Sequence, residues 1–297
     1  MPAPADFGLD RSLLVRRFGR AAATYDDVAV LAREVARRMD ERLDYIRIAP
    51  KRILDVGCGT GPDFDALARR FPSAQRTGVD FALPMLERAR GERGLLGRLR
   101  AFGRPAAPSL VCADARALPF ARASISLVWS NLMLNWLADP LPALREMHRV
   151  LEVDGMLMFS SLGPDTLKEL RSALPAAYGE RVHRFIDMHD LGDALVAAGF
   201  SDPVMDMEVL TLTYADVDEL LRDLRLSGST NASAGRPRGL AGKTAWAAAR
   251  AALDALRRDG RLPATFEIVQ GHAWKAQSKT TEDGRTVMQF QPRKPRP

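Results

Sequence analysis

A chain of 297 residues, 46% hydrophobic and 27% charged with net charge +6, can bury a full core, so neither a disordered nor a fibrous protein is expected. No apolar run nears the ~18 residues that a membrane span needs, and Arg11, Arg16 and Arg17 interrupt any signal-like start. Two cysteines, Cys58 and Cys112, make no disulfide framework, and neither Cys-x-x-Cys nor His-x-x-x-His occurs, so the expectation is a reducing, cytoplasmic setting and no metal.

Residues 1–10 lack periodicity, and Leu13–Asp26 is a mixed segment ahead of a strong helix. In that helix Val28, Leu31, Val35, Met39, Leu43 and Ile46 fall three or four apart and form one apolar stripe, read as core. Phe18 and Tyr25 precede it and could fold over a bound cation, an attraction of about 0.5–2 kcal/mol. Packing of the N-terminal segment accounts for them equally well.

Ile53–Val56 is a short apolar run that suits a buried parallel strand, and Phe64, Leu67, Ala68 and Phe71 then repeat at helical spacing. Between them Gly57, Gly59 and Gly61 form a turn that permits positive φ and close approach of a ligand to the backbone, and Pro62 suits a first helical turn. The spacing is Gly-x-Gly-x-Gly rather than the dinucleotide pattern Gly-x-Gly-x-x-Gly. Asp55, two residues upstream, would repel a pyrophosphate and welcome a cation. These features favour a ligand with an ammonium group and no phosphate. Cys58 reads as a small residue packed behind the turn.

The next strand ends at Asp80, where doubly wound sheets place a carboxylate for ribose hydroxyls. Pro84–Arg90 is helical, residues 91–108 read as a glycine-arginine loop or helix extension, and Leu110–Ala113 runs as a strand into Asp114. Ser124–Ser130 is the central strand, so Asn131 and Trp136, just past its carboxyl end, are candidates to line a reaction site; core packing explains Trp136 about as well. A helix over Leu141–Leu151 and a buried strand over Gly155–Ser161 follow.

In the second half, Asp165 opens a helix with a good N-cap pattern, Asp190–Ala198 is another helix, Val204–Tyr214 a strand and Asp216–Leu226 a helix. Residues 227–240 suit no regular structure. Lys243–Arg258 is helical, Ala264–Trp274 a last strand, and 276–297 a polar, basic tail expected to be disordered. Residues 222–261 carry nine basic residues against three acids. Such a patch can steer an acidic protein or a nucleic acid, and with Trp246 the only aromatic there, nucleic acid is the weaker option.

The motifs Asp55-Val-Gly-Cys-Gly-Thr-Gly61, Val79-Asp-Phe-Ala-Leu-Pro-Met-Leu86 and Ala113-Asp-Ala-Arg-Ala-Leu-Pro-Phe120, in that order, resemble those of class I S-adenosylmethionine-dependent methyltransferases. The resemblance implies an α/β fold, a doubly wound, mostly parallel seven-stranded sheet with helical lid insertions. It also implies S-adenosyl-L-methionine as cofactor, held by Tyr25, Asp55, Gly57, Gly59, Gly61, Asp80, Phe81, Met85, Asp114, Ala115 and Asn131. The implied organisation is a lid segment at 1–26, a cofactor-binding core at 27–162, and the rest of the sheet at 163–275 with lids at 163–190 and 214–262.

Phe18–Tyr25, Leu127–Leu132, Gly163–Leu170, Gly235–Leu240 and Leu262–Ile268 further resemble the malonyl-acyl-carrier-protein O-methyltransferases of biotin synthesis, across residues 14–275. That implies methyl esterification of the free carboxylate of a malonyl thioester, with an acidic carrier protein as partner and neither nucleic acid nor membrane. No general base is needed, because a carboxylate of pKa ~4 is already ionised at neutral pH. Phe18, Trp136 and a guanidinium from Arg184, Arg236 or Arg238 are the candidates to hold the acceptor. The insertion at 91–108 and Ser126, where relatives commonly carry aspartate, depart from the pattern. Gly163–Leu170 and Leu262–Ile268 also resemble the methyltransferase-fold arginine hydroxylase that assembles respiratory complex I. A small-molecule methyltransferase and a non-enzymatic cofactor-binding regulator are further alternatives.

Overall fold

The computed structural model describes residues 8–91, 106–174, 182–237, 239 and 242–277. Seven strands form one sheet: β1 (Arg52–Val56), β2 (Gln75–Asp80), β3 (Ser109–Cys112), β4 (Ile125–Ser130), β5 (Leu151–Leu162), β6 (Ser201–Tyr214) and β7 (Leu262–Trp274). Their order is β3-β2-β1-β4-β5-β7-β6. The pairs β1–β2, β1–β4, β2–β3 and β4–β5 are parallel, while β7 runs antiparallel to both β5 and β6. The chain leaves β1 towards β2 on one side and returns to β4 on the other, and the crevice at that reversal is where open α/β sheets bind ligands.

The central strands are buried on both faces, as a helix-covered parallel sheet requires. Leu127 and Trp129 face one apolar cluster with Val35, Met39, Met156 and Met158; the intervening Val128 faces the other, with Leu144, Met147, Leu157 and Leu191. The Ser126 hydroxyl accepts from the backbone N–H groups of Lys51 at 3.2 Å and Arg52 at 3.4 Å, so it ties β4 to the entry of β1.

Helices α1 (Arg11–Ala21), α2 (Tyr25–Val28) and α3 (Val30–Arg42) precede β1. The segment read as mixed is therefore a true helix, capped by Asp10, whose carboxylate accepts from Leu13 N–H at 3.0 Å. The long apolar stripe is split at Ala29, whose ψ of 40° stops α2; Val35 and Met39 carry the stripe's buried part. Helices α4 (Phe64–Arg70), α5 (Leu83–Gly91) and α6 (Leu141–Val150) lie between the strands, followed by α7 (Lys168–Ala173), α8 (Met188–Ala197), α9 (Val217–Leu226) and α10 (Lys243–Asp254).

Two helix starts differ from expectation. Asp165 does not cap α7: Leu167 precedes it in the left-handed region at φ 54°, and the Asp165 N–H instead donates to Glu267 at 2.7 Å. Asp187, not Asp190, caps α8, by accepting from His189 N–H. Both local signals lose to a neighbouring group that serves the same backbone better. The basic tail from 278 and the insertion between 92 and 105 lie outside the described residues.

The N-terminal segment is stitched to the stretch after α9. Arg17 donates to the carbonyls of Thr230 at 2.9 Å and Asn231 at 2.5 Å, the Thr24 hydroxyl to that of Leu226 at 2.9 Å, and Asp10 N–H to that of Ala232 at 2.8 Å. Leu9 and Ser233 form a short antiparallel bridge, and Arg236 pairs with Asp10 at 3.2 Å.

Candidate active site

At the carboxyl edge of β1 the chain turns through Gly57 at φ 81°, Gly59 at φ 53° and Gly61 at φ 79°. The three glycines serve different ends. A Cβ on Gly57 would lie 2.4 Å from Met133 Cγ, and one on Gly61 2.6 Å from Phe64 Cδ2, so packing forbids it; at Gly59 nothing lies within 4 Å. Gly59 is therefore a bare stretch of backbone facing open space, a cradle that a ligand can approach closely. The Gly57 and Cys58 N–H groups both donate to Val79 O, at 2.8 and 3.0 Å, which locks the turn against β2. The Cys58 side chain is buried behind it with Phe64 and Leu86, and burial pushes its thiol pKa up.

Two chambers meet at this turn, of about 320 and 280 Å³. Gly57, Asp80, Phe81, Met133 and Trp136 line both. The larger adds Phe18, Tyr25, Gly59, Met85 and Asn131, then widens between α2, α7, α9 and β7 into apolar walls that include Leu167, Leu170, Phe185, Leu221 and Phe266. The smaller adds Asp114, Ala115 and, from the N-terminal segment, Leu9, Arg11 and Leu14. Asp55 and Gly61 line neither; they stand behind the turn and shape it.

The acids set the local field. Asp55 is 2% exposed, and burial, with the charges of Asp63 and Asp80, holds its pKa well above the carboxylate range. Burial likewise raises Asp63 to about 6, against the bonds it accepts from Trp129 Nε1 at 2.8 Å and Asn131 Nδ2 at 3.4 Å. Asp80 is raised by burial although it accepts from the N–H groups of Gly59 at 3.0 Å and Ala82 at 2.8 Å. Three buried carboxylates around one turn are costly unless a cation joins them. Asp114 differs: Arg116 and Arg11, at 2.8 and 2.9 Å, grip it and lower it to about 2.

Asn131 is held rigidly. Its Nδ2 donates to Ala32 O at 2.9 Å and its Oδ1 accepts from the Ser160 hydroxyl, which in turn accepts from Leu132 N–H. Above it runs a chain of ring contacts, Phe81–Phe18–Trp136–His183–Phe185, with centroid separations of 6.0, 5.1, 5.1 and 4.5 Å. It roofs the junction of the chambers with residues from four separate parts of the chain.

The structure thus gathers Phe18, Tyr25, Gly57, Gly59, Asp80, Phe81, Met85, Asn131 and Trp136 at one crevice, and Asp114 and Ala115 in the adjoining chamber. The arginines proposed for the acceptor fare differently. Arg184 is exposed and outside both walls. Arg236 is spent on Asp10 and on Ser233 O at 2.9 Å, as part of the N-terminal stitching, and Arg238 lies outside the described residues. Sequence reading missed Asp63, His183 and Arg225. The readable sign for Arg225 was its place one turn after Leu221 on the inward stripe of α9.

A family described as "Methyltransferase domain" matches residues 54–159. A malonyl-[acyl-carrier protein] O-methyltransferase of Laribacter hongkongensis is 53% identical over 97% of this chain and 98% of its own length. One of Methylovorus sp. is 49% identical, over 96% of each chain. The crystal structure of YcgJ from Bacillus subtilis superposes with a TM-score of 0.57, over 83% of this chain and 100% of that one, at 16% identity. Geranyl diphosphate C-methyltransferase of Streptomyces coelicolor, solved with S-adenosyl-L-homocysteine, gives 0.50 over 84% and 82%, also at 16% identity. These two structural likenesses bear on the fold alone.

Proposed function

Because the chain belongs to the malonyl-[acyl-carrier protein] O-methyltransferase family, we propose that it esterifies the free carboxylate of malonyl-acyl carrier protein with the methyl group of S-adenosylmethionine, an early step towards biotin. The observation that carries this reading is the joined pair of chambers: a cationic-ligand cradle at the glycine turn that opens directly into an apolar room. Relatives at 40–53% identity bear the transferase name, which favours methyl transfer over arginine hydroxylation.

The residues present fit the cofactor. The open backbone at Gly59 and the buried acids suit an amino acid moiety and a sulfonium, Asp80 suits the ribose hydroxyls, and Asp114 with Ala115 suits the adenine. S-adenosylmethionine, when bound, supplies an electrophilic methyl. The protein's part is positioning, worth on the order of 7–11 kcal/mol when the reacting atoms are held in line. Asn131 and the aromatic roof fix the walls of that junction, and the apolar room strips water from the acceptor carboxylate, which leaves it a stronger nucleophile. Tyr25, half-buried and near Asp63 and Asp80, keeps its hydroxyl protonated far above neutral pH and so can serve as a donor, not a base.

The same proposal includes an acidic carrier protein docking beside Arg225 and Trp246 at the lid, residues 1–26, 163–190 and 214–262 acting as that lid, and a cytoplasmic setting. Among the described residues no helix is long and apolar enough to cross a membrane. Mass spectrometry of malonyl-acyl carrier protein after incubation with enzyme and S-adenosylmethionine is the test. One methyl gained on the malonyl carrier and none on an acetyl carrier is the expected result; no gain, with cofactor still bound, would sink it.

A further inference from the structure

An apolar room that accepts an anion needs a cation somewhere in its wall, since an unpaired buried charge is costly. Among the described residues lining the larger chamber, Arg225 is the one lysine or arginine. It stands on α9 one turn after Leu221 and beside Leu224, which line the chamber too; its side chain is exposed, so the guanidinium sits where the chamber opens to solvent, at the mouth an acceptor must pass. The next residue, Leu226, accepts the Thr24 hydroxyl at 2.9 Å, which brings this end of α9 against the start of α2 and hence beside Tyr25 at the transfer junction.

Five other arginines at the lid have partners elsewhere, and Arg222 and Arg258 line neither chamber. Arg17 serves Thr230 and Asn231, Arg236 serves Asp10, Arg250 binds Asp218, Arg257 binds Asp254 and the carbonyl of Ala215, and Arg261 binds Thr213. The side chain of Arg225 has no ion-pair partner among the described residues. The acid nearest in sequence, Asp223, also faces the chamber but accepts the Tyr214 hydroxyl, and no ion pair joins it to Arg225.

We propose that Arg225 holds the free carboxylate of the acceptor and is the residue by which the enzyme prefers a malonyl over an uncharged acyl group. This rests on the larger chamber being the acceptor site. A planar guanidinium suits a carboxylate through two parallel hydrogen bonds, and a charged pair of that kind is worth roughly ten- to hundredfold in affinity. A purely structural role is also available to an arginine in the last turn of a helix, where it complements the helix dipole, so the test must read something that role would not move.

That quantity is the preference for malonyl over acetyl. Binding of malonyl- and acetyl-acyl carrier protein, and of the corresponding pantetheine thioesters that lack the phosphate, is measured with S-adenosylhomocysteine present, for the wild type, Arg225→Leu and Arg225→Lys. The expected result is a malonyl preference that falls by about tenfold or more in Arg225→Leu on both kinds of acceptor and recovers in part with lysine, cofactor affinity unchanged. Unchanged preference in Arg225→Leu overturns the proposal. So does a loss confined to the phosphate-bearing acceptors, which would make Arg225 a reader of the carrier's arm. If the wild type shows no malonyl preference and methylates no malonyl thioester, the functional reading itself fails and takes this inference with it.

Discussion

The two chambers are built on opposite plans. The smaller chamber, proposed for the cofactor, is made mostly from residues at the ends of adjacent parallel strands, Val56 to Phe81 and Ala113 to Pro142, with Leu9, Arg11 and Leu14 joining from the N-terminal segment. The larger chamber, proposed for the acceptor, adds walls from α1, α2, α7, α9 and β7, segments whose contacts span more than 200 residues, and these walls are mostly apolar side chains. A site that holds one unvarying ligand can be local and strict. A site that must admit a large partner's arm is assembled at long range.

The largest expected effect breaks the strict side. Gly57→Ala puts a Cβ 2.4 Å from Met133 Cγ at a φ of 81°; the left-handed conformation costs about 1–2 kcal/mol and the overpacking about 1–3 kcal/mol, so thermal melting should fall sharply and cofactor titration should fail. Gly59→Ala sharpens the contrast: with open space at that position it should lose only about 1–2 kcal/mol of stability, yet lose cofactor binding almost as fully, because the methyl projects into the cradle. Equal loss of stability in both variants would mean that the turn is simply a packed loop.

A smaller effect follows from Asp63. The folded protein keeps its proton up to about pH 6, against 3.8 for the ordinary group, so between those values the native state binds more protons and stability falls as pH rises. A cationic ligand reverses the preference, so cofactor affinity should rise from about pH 5 to 7, with proton release visible as a dependence of binding enthalpy on buffer. Asp63→Asn should flatten both slopes while keeping its bond to Trp129. Slopes identical to those of the wild type would assign the titration to Asp55 or Asp80 instead.

The smallest belongs to the outer side of α9 and α10, the helices proposed as part of the lid. Arg250 donates to Asp218 at 2.8 Å across α9 and α10, but both side chains are a third or more exposed, and such pairs contribute about 0–1 kcal/mol. Arg250→Ala should leave the melting temperature nearly unchanged and weaken the carrier only slightly, an effect that added salt erases. A drop of several degrees would show the lid to be held by charge rather than by Leu220 and Leu253.

This division also governs how much the sequence disclosed. Strands and the glycine turn were legible because a short apolar run, a Gly-x-Gly-x-Gly spacing and an acid at the strand end are local patterns, and the observed sheet places β1 and β4 within a residue of where they read and ends β2 at Asp80. Helix α1 was not, since its apolar face is interrupted by Arg16 and Arg17 and is completed only by the stretch after α9. The caps of α7 and α8 misled because Glu267 and Asp187 serve those backbones instead. Arg236 looked available in a basic run, but its partner, Asp10, is 226 residues away. Arg225 was hidden in the same run, where its place one turn after Leu221 was the one readable sign that set it apart from its neighbours.

The stitching of the N-terminal helix to residues 226–236 has a bearing on how the protein comes into being. Arg17, Thr24 and Asp10 find their partners only after residues more than 200 positions later have emerged, and such distant closures are slow steps. During synthesis the strands through β5 can assemble while the cradle at Gly59 still lies unroofed, with the first helix waiting for its seat. The ligand crevice is thus finished last, by the joining of the chain's beginning to its final third.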